Sequence, residues 1–364
     1  MGRNYRIATI PGDGIGKEVT PVAIDVLERA GSLFDFQFDW DLLPWSCEYY
    51  AAHGAMMPPG GLDEIRHHDA IFLGAVGFPG VPDHVSLWGL LLPIRRRFNQ
   101  YVNLRPIRLL PGMRSPLANA APGSIDFVIV RENTEGEYSD QGTISAEGSD
   151  DETIIQHSIF TRRGVDRIFR YGFELASTRR KKLTWATKSN GIFLAMPYWD
   201  GRGELMAQSY PGVDARQFHI DILAAHMVRD PGQFDVIVAS NLMGDILSDL
   251  GAACAGTIGV APSANINPER EFPSMFEPVH GSAPDIYGKN IANPIGQIWS
   301  GAMMLEHLGE TEAAEAVMSA IEHVLLHGPR TPDMGGQAST QEVGAAVADA
   351  IRRRGPLFKL IAQA

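Results

Sequence analysis

Two cysteines in 364 residues are too few for a disulfide framework. Cys47 and Cys254 stand in dissimilar settings and form no metal-ligand spacing, so the cytoplasm is the expected compartment. No uninterrupted apolar run reaches roughly 18 residues, so no membrane-spanning helix is expected. The opening "MGRNYRIATIPGDG" has no basic-then-apolar leader, and Arg6 stands where a myristoylation motif wants Ser or Thr. Basic residues are in deficit, 31 Lys and Arg against 43 Asp and Glu, for a net charge of −12. That balance argues against non-specific binding to nucleic acid or anionic membrane, though not against a local basic pocket. Internal repeats and low-complexity tracts are also missing.

What remains is a chain that is 45% hydrophobic and long enough for about two domains. Buried strands are expected at "YRIATI" (5–10), "AIFLGAV" (70–76), "IDFVIV" (125–130), "IIQHSIF" (154–160), "KLTWAT" (182–187) and "FDVIVAS" (234–240). Helical patterns cover about 17–30, 164–177, 191–208, 221–229, 243–255, 297–308, 312–326 and 339–353, with a Leu/Arg-rich segment at 87–98. The alternation predicts an α/β protein with a parallel or mixed sheet. Pro and Gly are spread evenly and mark no linker.

"SNLMGDILSDLG" (240–251) places Asp245 and Asp249 four apart on one helix face, with Leu242, Ile246, Leu247 and Leu250 as its apolar, core-facing positions. A solvated outer face is the plain reading of two such acids. Against it, few other polar residues share the segment, and like charges at this spacing repel unless neutralised. A hard divalent cation with oxygen ligands, Mg²⁺ or Mn²⁺, relieves the repulsion but needs a third ligand.

"PGDGIG" (11–16) follows a strand and precedes a helix, yet its spacing is G-x-G-x-G and not the dinucleotide fingerprint. Taken alone it reads as a tight turn. "PIRRRFNQYVNLRP" (93–106) and "IVRENTEGEY" (129–138) bring Arg95, Arg96, Arg97, Arg105 and Arg131 into play. Arg96 and Arg97 read as surface charge. Arg105 and Arg131 adjoin apolar strands and need an anionic partner or many hydrogen bonds, which suggests a small acid with more than one carboxylate. In "ATKSNG" (186–191) Lys188 sits at a strand-to-helix transition, where desolvation and plain solvation are both open. In "FHIDILAAH" (218–226) Asp221 reads first as a helix N-cap.

Together "PGDGIGKEV", "VNLRP", "VRENTEGEY", "TKSNG", "HIDILAAHMV", "SNLMGDILSDL" and "FEPVHGSAPDIYGKNIANP" resemble the β-decarboxylating dehydrogenases, the family of isopropylmalate, isocitrate, tartrate and D-malate dehydrogenases. The match runs from about residue 6 to the C-terminal helices. "GDILSDL" combined with "EPVHGSAPDI" is its most specific part.

The resemblance implies two α/β domains sharing a mixed sheet, not a Rossmann fold. Residues 1–99 and 254–364 would form a discontinuous cofactor-side domain, and 100–253 the dimerisation and metal/substrate domain. It further implies a homodimer with shared active sites, in which Lys188 and Asp221 reach the partner's site. Asp221, Asp245 and Asp249 would hold Mn²⁺ or Mg²⁺, and Arg95, Arg105 and Arg131 would grip carboxylates. Tyr138 would protonate the enolate left after CO₂ departs, and Lys188 would take the hydroxyl proton. K⁺ is the implied monovalent activator. The cofactor would lie against "EPVHGSAPD", with Glu277, His280, Gly281, Ser282, Ala283, Asp285, Ile286 and Asn293 in its pocket. A carboxylate at Asp285 would bond ribose hydroxyls and repel a 2′-phosphate, favouring NAD over NADP; Ile286 agrees, because NADP-dependent members carry Lys and Tyr at this pair.

Substrate choice would lie in "SLWGLLLPIR" (86–95). The Ser-x-Asn arrangement of isocitrate-type members is absent. Trp88 takes the place of an acid that opens the isopropylmalate slot, while Leu91 and Leu92 keep an apolar wall. An indole there leaves room for a C4 hydroxy diacid whose β-carbon carries only H or OH. Oxidative decarboxylation of D-malate to pyruvate and oxidation of tartrate are the expected reactions. With meso-tartrate, redox-neutral decarboxylation to glycerate is a further outcome. The alternatives are an isopropylmalate dehydrogenase and a non-catalytic regulatory subunit, although the latter usually loses one of the acids, the tyrosine or the lysine that this chain retains.

Overall fold

Ile7, Ala8 and Ile10 are shielded from solvent because their strand has a neighbour on each edge and helices on its faces. In the computed structural model, which describes residues 2–352, such runs assemble into one ten-stranded mixed sheet. The strands are β1 (Arg3–Gly12), β2 (Phe36–Leu42), β3 (Ala70–Ala75), β4 (Val102–Arg108), β5 (Asp126–Glu132), β6 (Gly142–Ser145), β7 (Thr153–Gln156), β8 (Lys182–Thr187), β9 (Asp214–His219), β10 (Val236–Ala239), β11 (Pro262–Ile266) and β12 (Ser274–Pro278). The order across the sheet is β2-β1-β3-β12-β11-β4-β5-β10-β8-β9, with β6 and β7 forming a separate hairpin.

The central strand β4 runs antiparallel to both β5 and β11, and β11 antiparallel to β12; all other ladders of this sheet are parallel. The junction β11–β4 divides strands of the first and last thirds of the chain from those of the middle. Side chains on one strand alternate between faces. In β10, Val236 and Val238 pack with Phe169 and Phe173 of the helix Arg162–Thr178. Ile237 and Ala239 face the other way, towards Leu223 and Leu247 of the helices Ile220–Arg229 and Asn241–Ala255.

Several expectations need correction. The strand expected at 154–160 is limited to Thr153–Gln156 in an exposed hairpin, where Ile144, Ile154 and Ile155 lie open to solvent. On the helix Asn241–Ala255 only Leu247 of the four apolar positions is fully buried; Leu242 and Ile246 are 40% and 56% exposed. The last helix runs Thr340–Ala350, and residues 353–364 of the predicted helix end and cofactor-side domain lie outside the described residues. No helix among the described residues is long and apolar enough to cross a membrane.

Candidate active site

Asp245 sits at a convergence of cations. Its Oδ1 accepts from Arg131 Nη1 at 2.5 Å and from Arg105 Nη1 at 3.0 Å. Its Oδ2 accepts from the Tyr138 hydroxyl at 3.0 Å. β4 delivers Arg105 and β5 delivers Arg131, residues two positions apart in the antiparallel ladder, where Arg105 pairs with Ile129 and Arg131 with Asn103. Both guanidiniums are buried, 8% and 2% exposed, so each requires charge-assisted hydrogen bonds. Arg131 gains two more from Asn241 Oδ1, and Arg105 one from Ser248 Oγ. Gly244 is required here because a Cβ would press on the Arg131 side chain.

Burial pushes the Asp245 carboxyl up, but Arg131 and Arg105 outweigh it and hold the group below the ordinary carboxylate range. Asp249, one turn on, differs. Its contact with Arg105 is 3.8 Å, beyond hydrogen-bond distance, and no donor meets its carboxylate among the described residues. Burial raises its pKa, and Asp245 adds to the rise. Burial raises Tyr138 as well, with Asp245 reinforcing the shift, so the phenol keeps its proton at neutral pH.

Arg95 stands nearby, 6% exposed, its Nη2 bonded to Glu277 Oε1 at 2.7 Å. The Nε atoms of Arg95 and Arg105 are both buried without a partner. Unmet donors on two buried guanidiniums suit an anionic ligand. Glu277 is therefore engaged by Arg95 and by Asn265 Nδ2 at 2.7 Å, and it adjoins the loop 279–286.

That loop follows β12. Ser282 O accepts from Ile15 N at 2.8 Å, so the Gly-rich turn 11–16 packs directly on it. Gly14 is obligatory there: its φ is +53° and a Cβ would collide with the Ser282 carbonyl. The turn's acid, Asp13, is structural, accepting from the backbone of Cys47 and Gly77. Gly281 faces open space, and Ala283 adopts a positive φ of 39°. His280 Nδ1 contacts Gly281 O at 3.0 Å, while Nε2 is buried and unpartnered. An orphaned ring nitrogen beside an open glycine fits a polar ligand such as a nucleotide. Asp285 is exposed and Ile286 packs on the cluster of Ile15, Val19 and Ala292. Asn293 donates to Asp333 Oδ2 at 3.1 Å, in the turn Pro332–Met334, and accepts from Ile295 N at 3.0 Å.

Lys188 and Asp221 are elsewhere. Lys188 Nζ bonds Asp221 Oδ1 at 2.9 Å. Asp221 lies in the first turn of Ile220–Arg229 and is not its N-cap, which is His219. The hydrogen bond from Lys188 leads the causes that hold its carboxyl below the usual range. Among the described residues no three His, Cys, Asp or Glu side chains gather as one chain's metal site. Asp221 is thus not brought to Asp245 and Asp249 within one chain.

Arg97 is exposed as expected, but Arg96 is not simple surface charge. Its guanidinium carbon lies 4.8 Å from the Trp88 ring centroid, and Nη2 donates to the Tyr138 carbonyl at 2.5 Å. Leu91 is half-buried, whereas Leu92 is 1% exposed and so lies in the interior, away from an open slot. Sequence reading also missed Glu137, whose carboxylate accepts from Ser240 Oγ at 2.6 Å and Leu242 N at 3.1 Å, and so pins the Tyr138 loop to the aspartate helix.

The family model for isocitrate/isopropylmalate dehydrogenases matches residues 6–347. Over 361 residues the chain is 60% identical to the D-malate dehydrogenase [decarboxylating] of Escherichia coli (strain K12), covering 97% of this chain and 100% of that one. It is 59% identical to the tartrate dehydrogenase/decarboxylase of Pseudomonas putida, with 96% and 98% covered. Its structure superposes on isocitrate dehydrogenase from Methylococcus capsulatus with a TM-score of 0.85 at 34% identity, covering 96% of this chain and 99% of the other.

Proposed function

The chain belongs to the isocitrate/isopropylmalate dehydrogenase family, and from that premise we propose that it oxidises D-malate and tartrate with NAD⁺ and a divalent metal, converting D-malate to pyruvate and CO₂. The observation that carries the proposal is the convergence of Arg105, Arg131 and Tyr138 on Asp245, beside two unmet guanidinium donors and the indole of Trp88. Named relatives at about three-fifths identity support the same substrates.

Asp245 and Asp249, with Asp221 from a second copy, would hold Mn²⁺ or Mg²⁺, which when bound polarises the carbinol oxygen and stabilises charge on the enolate. The Asp249 carboxylate, 58% exposed and only 3.8 Å from Arg105 without a hydrogen bond to it, fits that task. The segment His280–Ile286 would hold NAD⁺, with Asp285 towards the ribose, and the bound nicotinamide would supply the hydride acceptor. The residues of this chain do the rest. Arg95, Arg105 and Arg131 orient the two carboxylates. Lys188 takes the hydroxyl proton as hydride leaves C2. The C3–C4 bond then breaks to release CO₂, and Tyr138, protonated at neutral pH, delivers its proton to C3.

Both halves of this site are flanked by uncovered apolar side chains. Phe193 and Leu194, 77% and 75% exposed, follow Lys188, and Ile222 follows Asp221 at 46%. Leu242 and Ile246 flank Asp245. Patches of this kind mark interfaces, and a homodimer that covers them would bring Asp221 and Lys188 to the partner's Asp245 and Asp249. In this reading residues 100–253 form the dimerising domain, and 1–99 with 254–364 carry the cofactor. The test is NADH formation with D-malate, meso-tartrate and 3-isopropylmalate under Mn²⁺, with and without K⁺ and EDTA. D-malate or tartrate should lead and EDTA should abolish turnover. A higher kcat/KM for isopropylmalate, or full activity after chelation, overturns the proposal.

A further inference from the structure

Residues 83–97 form one helical segment interrupted by a π turn at Leu87–Leu91, where Leu92 N donates to Leu87 O five residues back. On a plain α-helix, two turns return after about seven residues. The additional residue of a π turn moves that return to the eighth. Trp88 and Arg96 are eight apart, and the π turn places the guanidinium over the indole at 4.8 Å. From there Arg96 Nη2 reaches the Tyr138 carbonyl at 2.5 Å. Its neighbour Arg97 is 53% exposed and makes only a 3.3 Å surface pair with Asp63.

Tyr138 lies in an irregular loop between β5 and the β6–β7 hairpin, outside any named strand. A bridge between Gly136 and Ile159 precedes it, and Gln156 Nε2 donates to the Ser139 carbonyl just after it. Two further clamps tie the loop to the proposed site. Glu137 ties the loop to Ser240 and Leu242 on the aspartate helix, and Arg96 ties it to the segment that bears Trp88. We propose that Arg96 is a positioning residue that couples the indole facing the substrate's β-carbon to the placement of the Tyr138 hydroxyl. This rests on the reading above, in which Tyr138 gives the proton to C3. Arg96 touches neither substrate nor cofactor; it holds the backbone from which the proton donor hangs. A displacement of the order of 1 Å at a reacting group costs about a hundredfold in rate.

The test compares Arg96→Ala, Arg96→Lys and Trp88→Leu with the unmodified enzyme on D-malate. Arg96→Ala should lower kcat by about 10- to 100-fold with KM changed less than about threefold. Arg96→Lys, which keeps a cation over the ring and a donor for the carbonyl, should recover part of that loss. Trp88→Leu combined with Arg96→Ala should be no slower than Arg96→Ala alone, since both act through one chain of contacts. A kcat within about twofold of the unmodified enzyme, or a rise in KM alone, overturns the inference. If the alanine variant does not fold, the kcat–KM split of Arg96→Lys and Trp88→Leu decides by the same criteria. Failure of the unmodified enzyme on D-malate would instead strike the functional reading on which this one stands.

Discussion

Lys188 Nζ lies 2.9 Å from Asp221 Oδ1, and this pair stands apart from the Asp245–Asp249 pair of the same chain. The proposed proton acceptor and the proposed third metal ligand therefore travel as one unit. If that unit serves the partner's site, two dead enzymes can rescue each other. Lys188→Met and Asp245→Asn should each lack turnover as homodimers. After mixing under conditions that exchange subunits, half the dimers are hybrids with one intact site, so about a quarter of full activity should return. No recovery from a mixture shown by mass spectrometry to contain hybrids would place Lys188 and Asp245 in the same protomer's site.

Asp249 has an acidic neighbour, a cation beyond hydrogen-bond distance and no donor of its own. With no metal bound, its charge opposes folding, because its pKa is higher in the folded state than in the open chain. Asp249→Asn should leave the melting temperature of the metal-free protein unchanged or slightly raised. The same change should weaken Mn²⁺ binding at least about tenfold and erase the stabilisation that Mn²⁺ confers. Titration calorimetry and melting with and without Mn²⁺ check both halves. An undiminished Mn²⁺ shift would remove Asp249 from the ligand set.

The long helices and most buried strands were legible because their apolar periodicity is regular, whereas the short helices Cys47–His53 and Gly61–Ile65 were not. β4 was not. "VNLRPIR" carries Asn103, Arg105 and Pro106, and no strand is expected there from its apolar pattern. The fold tolerates these residues because the middle of the sheet is held by polar contacts. Asn103 donates to Ser263 at 2.8 Å and Asn265 at 2.9 Å, Asn133 donates to Asn265 at 2.9 Å, and Asn265 donates to Glu277 under Arg95. Single-sequence patterns weigh apolar alternation, and an amide network has none. Arg96 was misread for a related reason: adjacent arginines look alike until a π turn sends one inward and leaves the other in water. The Tyr138 and aspartate motifs were readable, but their junction through Arg105 and Arg131 depended on the ladder register.

His307 closes the helix Ile295–His307 with its ring 5.5 Å from that of Phe276. Burial, with Arg270 adding to it, lowers its pKa to about 4. The unfolded value is near 6.5. Between these values the unfolded chain binds the extra proton, so this group's contribution is whole above about pH 6.5 and is lost as pH falls through about 4. His307→Gln removes that titration. Across melts at pH 7, 5.5 and 4.5, the variant should gain on the unmodified protein as pH falls. Parallel curves would show that His307 titrates alike in both states.

Trp88 sets the limit on substrate size if the functional reading holds. The indole is held on one face by the Arg96 guanidinium, which opposes its swinging aside for a branched β-substituent. Trp88→Ala opens a space large enough for several methyl groups. Methylene-sized differences in an apolar pocket are worth about 10- to 200-fold in discrimination. The ratio of kcat/KM for 3-isopropylmalate to that for D-malate should therefore rise at least about tenfold in Trp88→Ala. Absolute kcat on D-malate should fall at the same time, because Arg96 loses the surface on which it rests. The two effects separate cleanly: the ratio reports the shape of the slot, and the fall in kcat reports the hold on Tyr138. An unchanged ratio would mean that the β-substituent never meets the indole, and that size is read by another wall of the cleft.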